Sequence, residues 1–216
     1  MQPLRATEDW SRFDAKAERL VLAGPLLSRK LEGGVLAPMG LADAPQIAVD
    51  GGIRFAVDPV IWAGDGDSAG EKPPQFKHGQ DETDLRFCLN GIRGWHWREL
   101  HLFGFLGGSR AHELANLGEI HSEMTMRTSF AHAVFYGASL APALHFFQEG
   151  RHKLDIRGRF SLLSVEPAQV RIGGACAYKT DAIELRALSG RGVSNEGSGE
   201  VVFDSSVPFM VVLEEP

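Results

Sequence analysis

Short apolar runs broken by glycine and proline set the rhythm of the first half of the chain. Residues 19–24 read as a buried strand, stopped at Gly24-Pro25. A Gly- and Pro-rich stretch follows to about Pro45. Residues 46–49 form the next strand and run into Asp50-Gly51-Gly52, and residues 59–63 form a third. Residues 69–80, with Pro73-Pro74, read as a polar, mobile loop. From Asp81 the period changes: Leu85, Cys88, Leu89 and Ile92 share one helical face, with Asp81 and Thr83 both suited to cap its start. Residues 99–106 are near-continuously apolar, as in a strand covered on both faces, and end at Gly107-Gly108. A second helix follows, with Leu114, Leu117, His121 and Met124 on one face; His121 is read as flanking the core.

Beyond Met126 no helical period recurs. Strand-like pieces appear at 132–136, 144–147, 153–156, 160–165, 170–172, 182–187, 200–203 and 209–213, separated by Gly, Ser and Pro. The expected fold class is α/β: an N-terminal, mostly parallel sheet flanked by helices (Rossmann-like), followed by a small C-terminal β-sandwich. The boundary falls near Gln148-Glu149-Gly150, giving domains at 1–148 and 149–216. Residues 1–18 suit either a short helix or an arm. No internal repeat or low-complexity segment is visible.

Composition narrows the partners. The 216 residues carry 22 basic and 28 acidic side chains, a formal charge of −6, with no basic block or aromatic-basic stripe. Nucleic acid is therefore not an expected partner, and an anionic substrate needs local compensation by a metal ion or backbone N–H groups. Cys88 and Cys176 lack partners at metal-ligand spacing, which suits a reducing compartment. The apolar window at 128–147 is interrupted by His132, Gly137, Pro142 and His145, so it reads as two buried strands and not as a membrane span. With a polar, charged N-terminus, the expected location is the cytoplasm, away from membranes.

The densest chemistry lies at 64–68, Gly64-Asp65-Gly66-Asp67-Ser68, where a strand ends in two carboxylates on a tight turn. Ligands of open α/β sheets bind at that edge, and paired carboxylates with substrate phosphates suit Mg²⁺. The same residues also make an ordinary solvated turn, and the stretch alone does not decide. Glycines after the 46–49 strand let backbone approach a phosphate. The helix start aims Asp81 and Asp84 at the same edge, and His112 and Asn116 lie one turn apart near the start of the second helix.

Taken in order, Asp50-Gly51-Gly52, Gly64-Asp65-Gly66-Asp67-Ser68, Gln80-Asp81-Glu82-Thr83-Asp84 and the run from Gly107 to Asn116 resemble the thiamine pyrophosphokinase family. In the C-terminal part, Gly158-Arg159-Phe160-Ser161-Leu162-Leu163, the segment 174–178 and the run from Ser189 to Glu196 resemble that family's thiamine-binding domain. The resemblance spans about residues 19–213. It implies a homodimer in which Mg²⁺ assists transfer of a pyrophosphoryl group from ATP to the thiamine hydroxyl, releasing AMP. It assigns Asp65, Asp67, Asp81 and Asp84 to catalysis, with Asp65, Asp67 and Asp84 as metal ligands. It puts Asp50, Gly51, Gly52, Ser68, Thr83, Gly107, Gly108, Arg110, His112 and Asn116 on the nucleotide side. Tyr178, Ser194 and Asn195 would contact thiamine.

The chain departs from the family pattern in places. Anchored on Leu114-Ala115-Asn116, Ser109 stands at the family's Arg and Ala111 at its Asp, while Gly79 replaces a frequent first Asp. Arg110 is one position from the missing guanidinium; Ala111 cannot replace a carboxylate. Two alternatives follow: a degenerate relative that binds thiamine or a nucleotide without turnover, and a pyrophosphokinase acting on another hydroxymethyl heterocycle.

Overall fold

The computed structural model describes Trp10 and residues 18–126 and 130–214. It is a mixed α/β protein, rich in sheet and poor in helix. The chain divides into two compact units that are not consecutive in sequence: Met1–Glu119 with Phe135–Ala141, and Ile120–Val134 with Pro142–Pro216.

The first unit holds β1 (Arg19–Ala23), the four-residue helix α1 (Gly33–Leu36), β2 (Gln46–Val49), β3 (Ile61–Gly64), β4 (Gln75–Phe76), α2 (Asp84–Gly91) and β5 (Glu99–Phe103). Its strands run parallel in the order β5-β1-β2-β3-β4. All four residues of β2 and four of the five in β1 are buried, the burial that a parallel sheet covered on both faces imposes. Helix α2 packs on β2 and β3 through buried Leu85, Cys88 and Leu89. Its start is fixed by Thr83, whose hydroxyl accepts the Arg86 N–H at 3.0 Å. Of the stretch 1–18, only Trp10 and Glu18 fall within the described residues; Trp10 packs edge-on against Phe87.

Helix α3 (Arg110–Met126) and β6 (His132–Tyr136) are divided between the two units. The second unit continues with β7 (Pro142–Phe147), β8 (Gly150–Leu163), β9 (Ala168–Cys176), β10 (Thr180–Leu185), β11 (Asn195–Ser205) and β12 (Phe209–Leu213). These six pair antiparallel as one series, β7-β12-β8-β11-β9-β10. Phe160, Phe203 and Phe209 anchor its core, which draws on every one of the six strands.

Four expectations need correction. The segments 153–156 and 160–165 are not two strands: β8 runs unbroken from Gly150 to Leu163, with β11 in constant register along it. Gly158 takes φ +124 opposite Gly197, so a glycine that reads as a turn lies inside the strand without ending it. The loop at 69–80 is tied down at its far end, because β4 adds to the sheet edge beside β3. The strand expected at 99–106 stops at Phe103. In α3, Leu114 is 64% exposed and the buried stripe is Ile120, Glu123 and Met124. His112 and Asn116 line a cavity, and Leu114, two residues from each, points to the opposite side of the helix.

Candidate functional site

In a parallel sheet every strand delivers its C-terminal end to the same edge. Here that edge opens a cavity of about 520 Å³, the size of a small-molecule site. Asp50 follows β2, Asp65 and Asp67 follow β3, and Lys77 follows β4; Thr83 and Asp84 stand at the start of α2. Gly107, Ser109, His112 and Asn116 line the side where α3 begins.

Asp50, Asp65 and Asp84 form an acidic group whose ligand oxygens lie within 4.8 Å of one another. Asp50 is only 2% exposed and sits at φ +45, a left-handed conformation uncommon outside glycine. Its Oδ2 accepts the Ser68 N–H at 3.0 Å, while its Oδ1 is buried without a partner. A bare buried carboxylate oxygen is costly, and with two further carboxylates beside it the donor set fits a hard divalent cation such as Mg²⁺. Backbone N–H groups order the other two carboxylates: Asp84 Oδ1 accepts the Asp65 N–H at 3.2 Å, and Asp65 Oδ1 accepts the Asp67 N–H at 3.2 Å.

Lys77 is 3% exposed. Its Nζ lies 3.2 Å from Asp65 Oδ2 and 3.5 Å from Asp84 Oδ1, and donates to the Glu82 carbonyl at 3.0 Å. Burial alone works to raise the Asp65 carboxyl, but the Asp67 backbone N–H and the Lys77 ammonium outweigh it and hold Asp65 below its ordinary value. For Asp84 burial prevails and lifts the carboxyl to about 6 against the opposing pull of Lys77, with Asp65 and Asp50 adding to the rise. Burial likewise pulls Lys77 down, and its two carboxylates more than offset this, keeping it above the ordinary lysine value.

The expected site residues divide clearly. Asp65 and Asp84 come together as anticipated, joined by Asp50, which the resemblance put on the nucleotide side. Asp67 lines the cavity but lies outside the group of three; it is exposed and accepts the Ser68 hydroxyl at 3.1 Å. Asp81 is exposed and does not line the cavity. Gly51 and Gly52 are buried and do not line it either. A Cβ on Gly52 would stand 1.8 Å from the Ala23 carbonyl oxygen, so this glycine lets the turn pack on the end of β1. Thr83 lines the cavity while its hydroxyl caps α2, and Asn116 lines it while its side-chain amide donates to the Phe105 carbonyl at 3.0 Å. Gly107 and His112 reach the cavity; exposed Gly108 and Arg110 do not.

In the second unit Tyr178 and Asn195 share a smaller cavity of about 230 Å³ with Lys179 and Arg191. Asn195 is buried and latched to the Tyr178 backbone: its Oδ1 accepts the Tyr178 N–H at 3.0 Å, and its Nδ2 donates to the Tyr178 carbonyl at 2.7 Å. Ser194, at φ +63, is exposed and lies outside that cavity. Sequence reasoning missed Lys77 altogether. The one hint is Phe76 just before it, an aromatic residue able to fix a strand in a polar stretch.

No protein-family model matches the chain, and no curated protein matches it. Solved structures do. The thiamine pyrophosphokinase of Bacillus subtilis is 18% identical, with a TM-score of 0.68 over 92% of this chain and 99% of that one. The fold is that of the thiamine pyrophosphokinases. The enzyme from Geobacillus thermodenitrificans, 19% identical, aligns at a TM-score of 0.65 over 91% of this chain and 97% of its own. Yeast thiamin pyrophosphokinase, 12% identical, aligns at 0.66 over 91% of this chain and 86% of its own. The order of acidic and glycine motifs thus points to the right fold despite this low identity. Among the described residues no helix is long and apolar enough to cross a membrane.

Proposed function

We propose that this chain is a Mg²⁺-dependent thiamine pyrophosphokinase that converts ATP and thiamine to AMP and thiamine diphosphate. On this reading the first unit is a Rossmann-like nucleotide domain, the second is a thiamine-binding β-sandwich, and the protein works as a homodimer in the cytoplasm. The observation that carries the proposal is the partnerless buried oxygen of Asp50, set beside Asp65 and Asp84 in the cavity of a thiamine pyrophosphokinase fold.

Asp50, Asp65 and Asp84 would hold the ion. When bound, Mg²⁺ neutralises charge on the transferring phosphates and on the oxygen leaving with AMP. The chain's own part is positioning. The start of α3, with Ser109 and His112 at the cavity, offers backbone N–H groups to phosphate. Asp67, exposed and lining the cavity, presents a further carboxylate to an incoming ligand. The thiamine hydroxyl attacks the β-phosphorus of ATP, the bond to the AMP oxygen breaks, and the hydroxyl proton leaves to a base.

Pure protein incubated with ATP, Mg²⁺ and thiamine should release AMP and thiamine diphosphate in equal amounts, read by chromatography. Absence of both products over a wide range of conditions rejects the proposal. A second reading, ligand binding without turnover, is favoured by one observation: Ser109 lines the cavity and Arg110 does not, so the guanidinium is not restored from one position along. Thiamine binding by calorimetry with no AMP release would select it, and competition by other hydroxymethyl heterocycles would expose an altered specificity.

A further inference from the structure

We propose that the Lys77 ammonium is a built-in cation that occupies one of two cation seats in the acidic cluster, leaving a single seat, on the Asp50 side, for a divalent ion. The inference rests on the reading of Asp50, Asp65 and Asp84 as a metal site. It concerns how many ions that site takes.

Lys77 is placed by the backbone. Its N–H donates to the Gly64 carbonyl at 2.8 Å, extending the pairing of β4 with β3, and the side chain is thereby carried into the cavity wall. The ammonium has three N–H donors and three oxygens to receive them: Asp65 Oδ2 at 3.2 Å, Asp84 Oδ1 at 3.5 Å and the Glu82 carbonyl at 3.0 Å. Two carboxylates and a carbonyl are also what a hard divalent ion takes as ligands. The ammonium therefore stands where an ion would. Asp50 is untouched by it and keeps its bare Oδ1. Charge agrees with this division, since three carboxylates are balanced by one ammonium and one divalent ion. A second divalent ion beside Lys77 would leave the cluster strongly positive.

The role differs from that of a plain surface ion pair. A buried lysine is costly unless every donor is met, and here two of its three acceptors are carboxylates assigned to metal, the third being the Glu82 carbonyl. Removing the side chain frees three oxygens that need to close by about 1 Å to reach metal–ligand distance.

The test is the number of Mn²⁺ ions bound per chain without nucleotide, measured by calorimetry and by the spin-resonance signal of free Mn²⁺. The parent should bind one, Lys77→Arg one, and Lys77→Ala two. A Lys77→Ala chain that binds no more Mn²⁺ than the parent overturns the inference. Lys77→Gln serves the same comparison should Lys77→Ala fail to fold, and equal counts there overturn it as well. The two readings separate cleanly. A parent that binds no ion refutes the metal assignment, whereas the gain from parent to variant, whatever the parent's count, decides the role of Lys77.

Discussion

Asp50 combines three features at one position: near-complete burial, a left-handed backbone and an oxygen with nothing to bond. Each is unfavourable alone, and their coincidence at one residue is what the proposed metal role of Asp50 rests on. Asp50→Asn keeps the shape and removes the charge. It should lower kcat by about 10²–10³-fold and weaken Mn²⁺ binding in a direct titration. Asp81→Asn, at an exposed position outside the cavity, should leave both within about twofold, surface changes away from special features being nearly silent. The reverse ranking would move the site towards Asp81. The sequence shows where acids cluster because carboxylate, glycine and strand end lie close along the chain. It does not show which acids meet. Asp81 and Thr83 both suited the cap of α2, and only the folded chain seats Thr83 there and turns Asp81 outward.

Elements were legible where one period ran long enough. Helix α2 and strands β1, β2 and β3 follow directly from their apolar spacing. Strand β4 did not, because two residues between prolines and polar side chains carry no period, and Lys77 was lost with it. On β7, His145 makes a testable case of burial. It is 7% exposed, its Nδ1 lies 3.0 Å from His132 Nε2, and burial lowers it to about 4. Above pH 6.5 the ring is neutral whether the chain is folded or not, so its contribution to stability is intact. As pH falls from about 6.5 to about 4, the unfolded chain takes up a proton that the folded chain refuses. The loss should approach roughly 3 kcal/mol, at about 1.4 kcal/mol per pH unit. Urea unfolding across this window should show a shallower fall in stability for His145→Gln than for the parent. Parallel curves would contradict the assignment.

For the molecule as a whole, the two compact units each carry one cysteine, and both thiols are free. Cys88 is fully buried, which holds its thiol far above the usual range, whereas Cys176 is only partly covered. A thiol reagent should titrate one group per chain in the native protein and a second only after denaturant is added; a native count of two would show that the core beneath α2 opens. The broad architecture, parallel strands first and antiparallel strands after, was readable because one half alternates strand and helix and the other does not. The membership of each unit was not, since residues 135–141 group with the first unit from beyond the second helix, and linear spacing holds no trace of that return.

The long ladder between β8 and β11 pairs Gly150 with Ser205 and Phe160 with Asn195, with β9 and β10 made in between. On the ribosome, β8 must therefore wait for this partner until β9, β10 and β11 have all been made. Closing so distant a pairing is slow, and an unpaired edge is an invitation to aggregation while it lasts. The exposed Arg151, Lys153, Asp155, Arg157 and Arg159 along that strand keep the waiting segment hydrated and self-repelling.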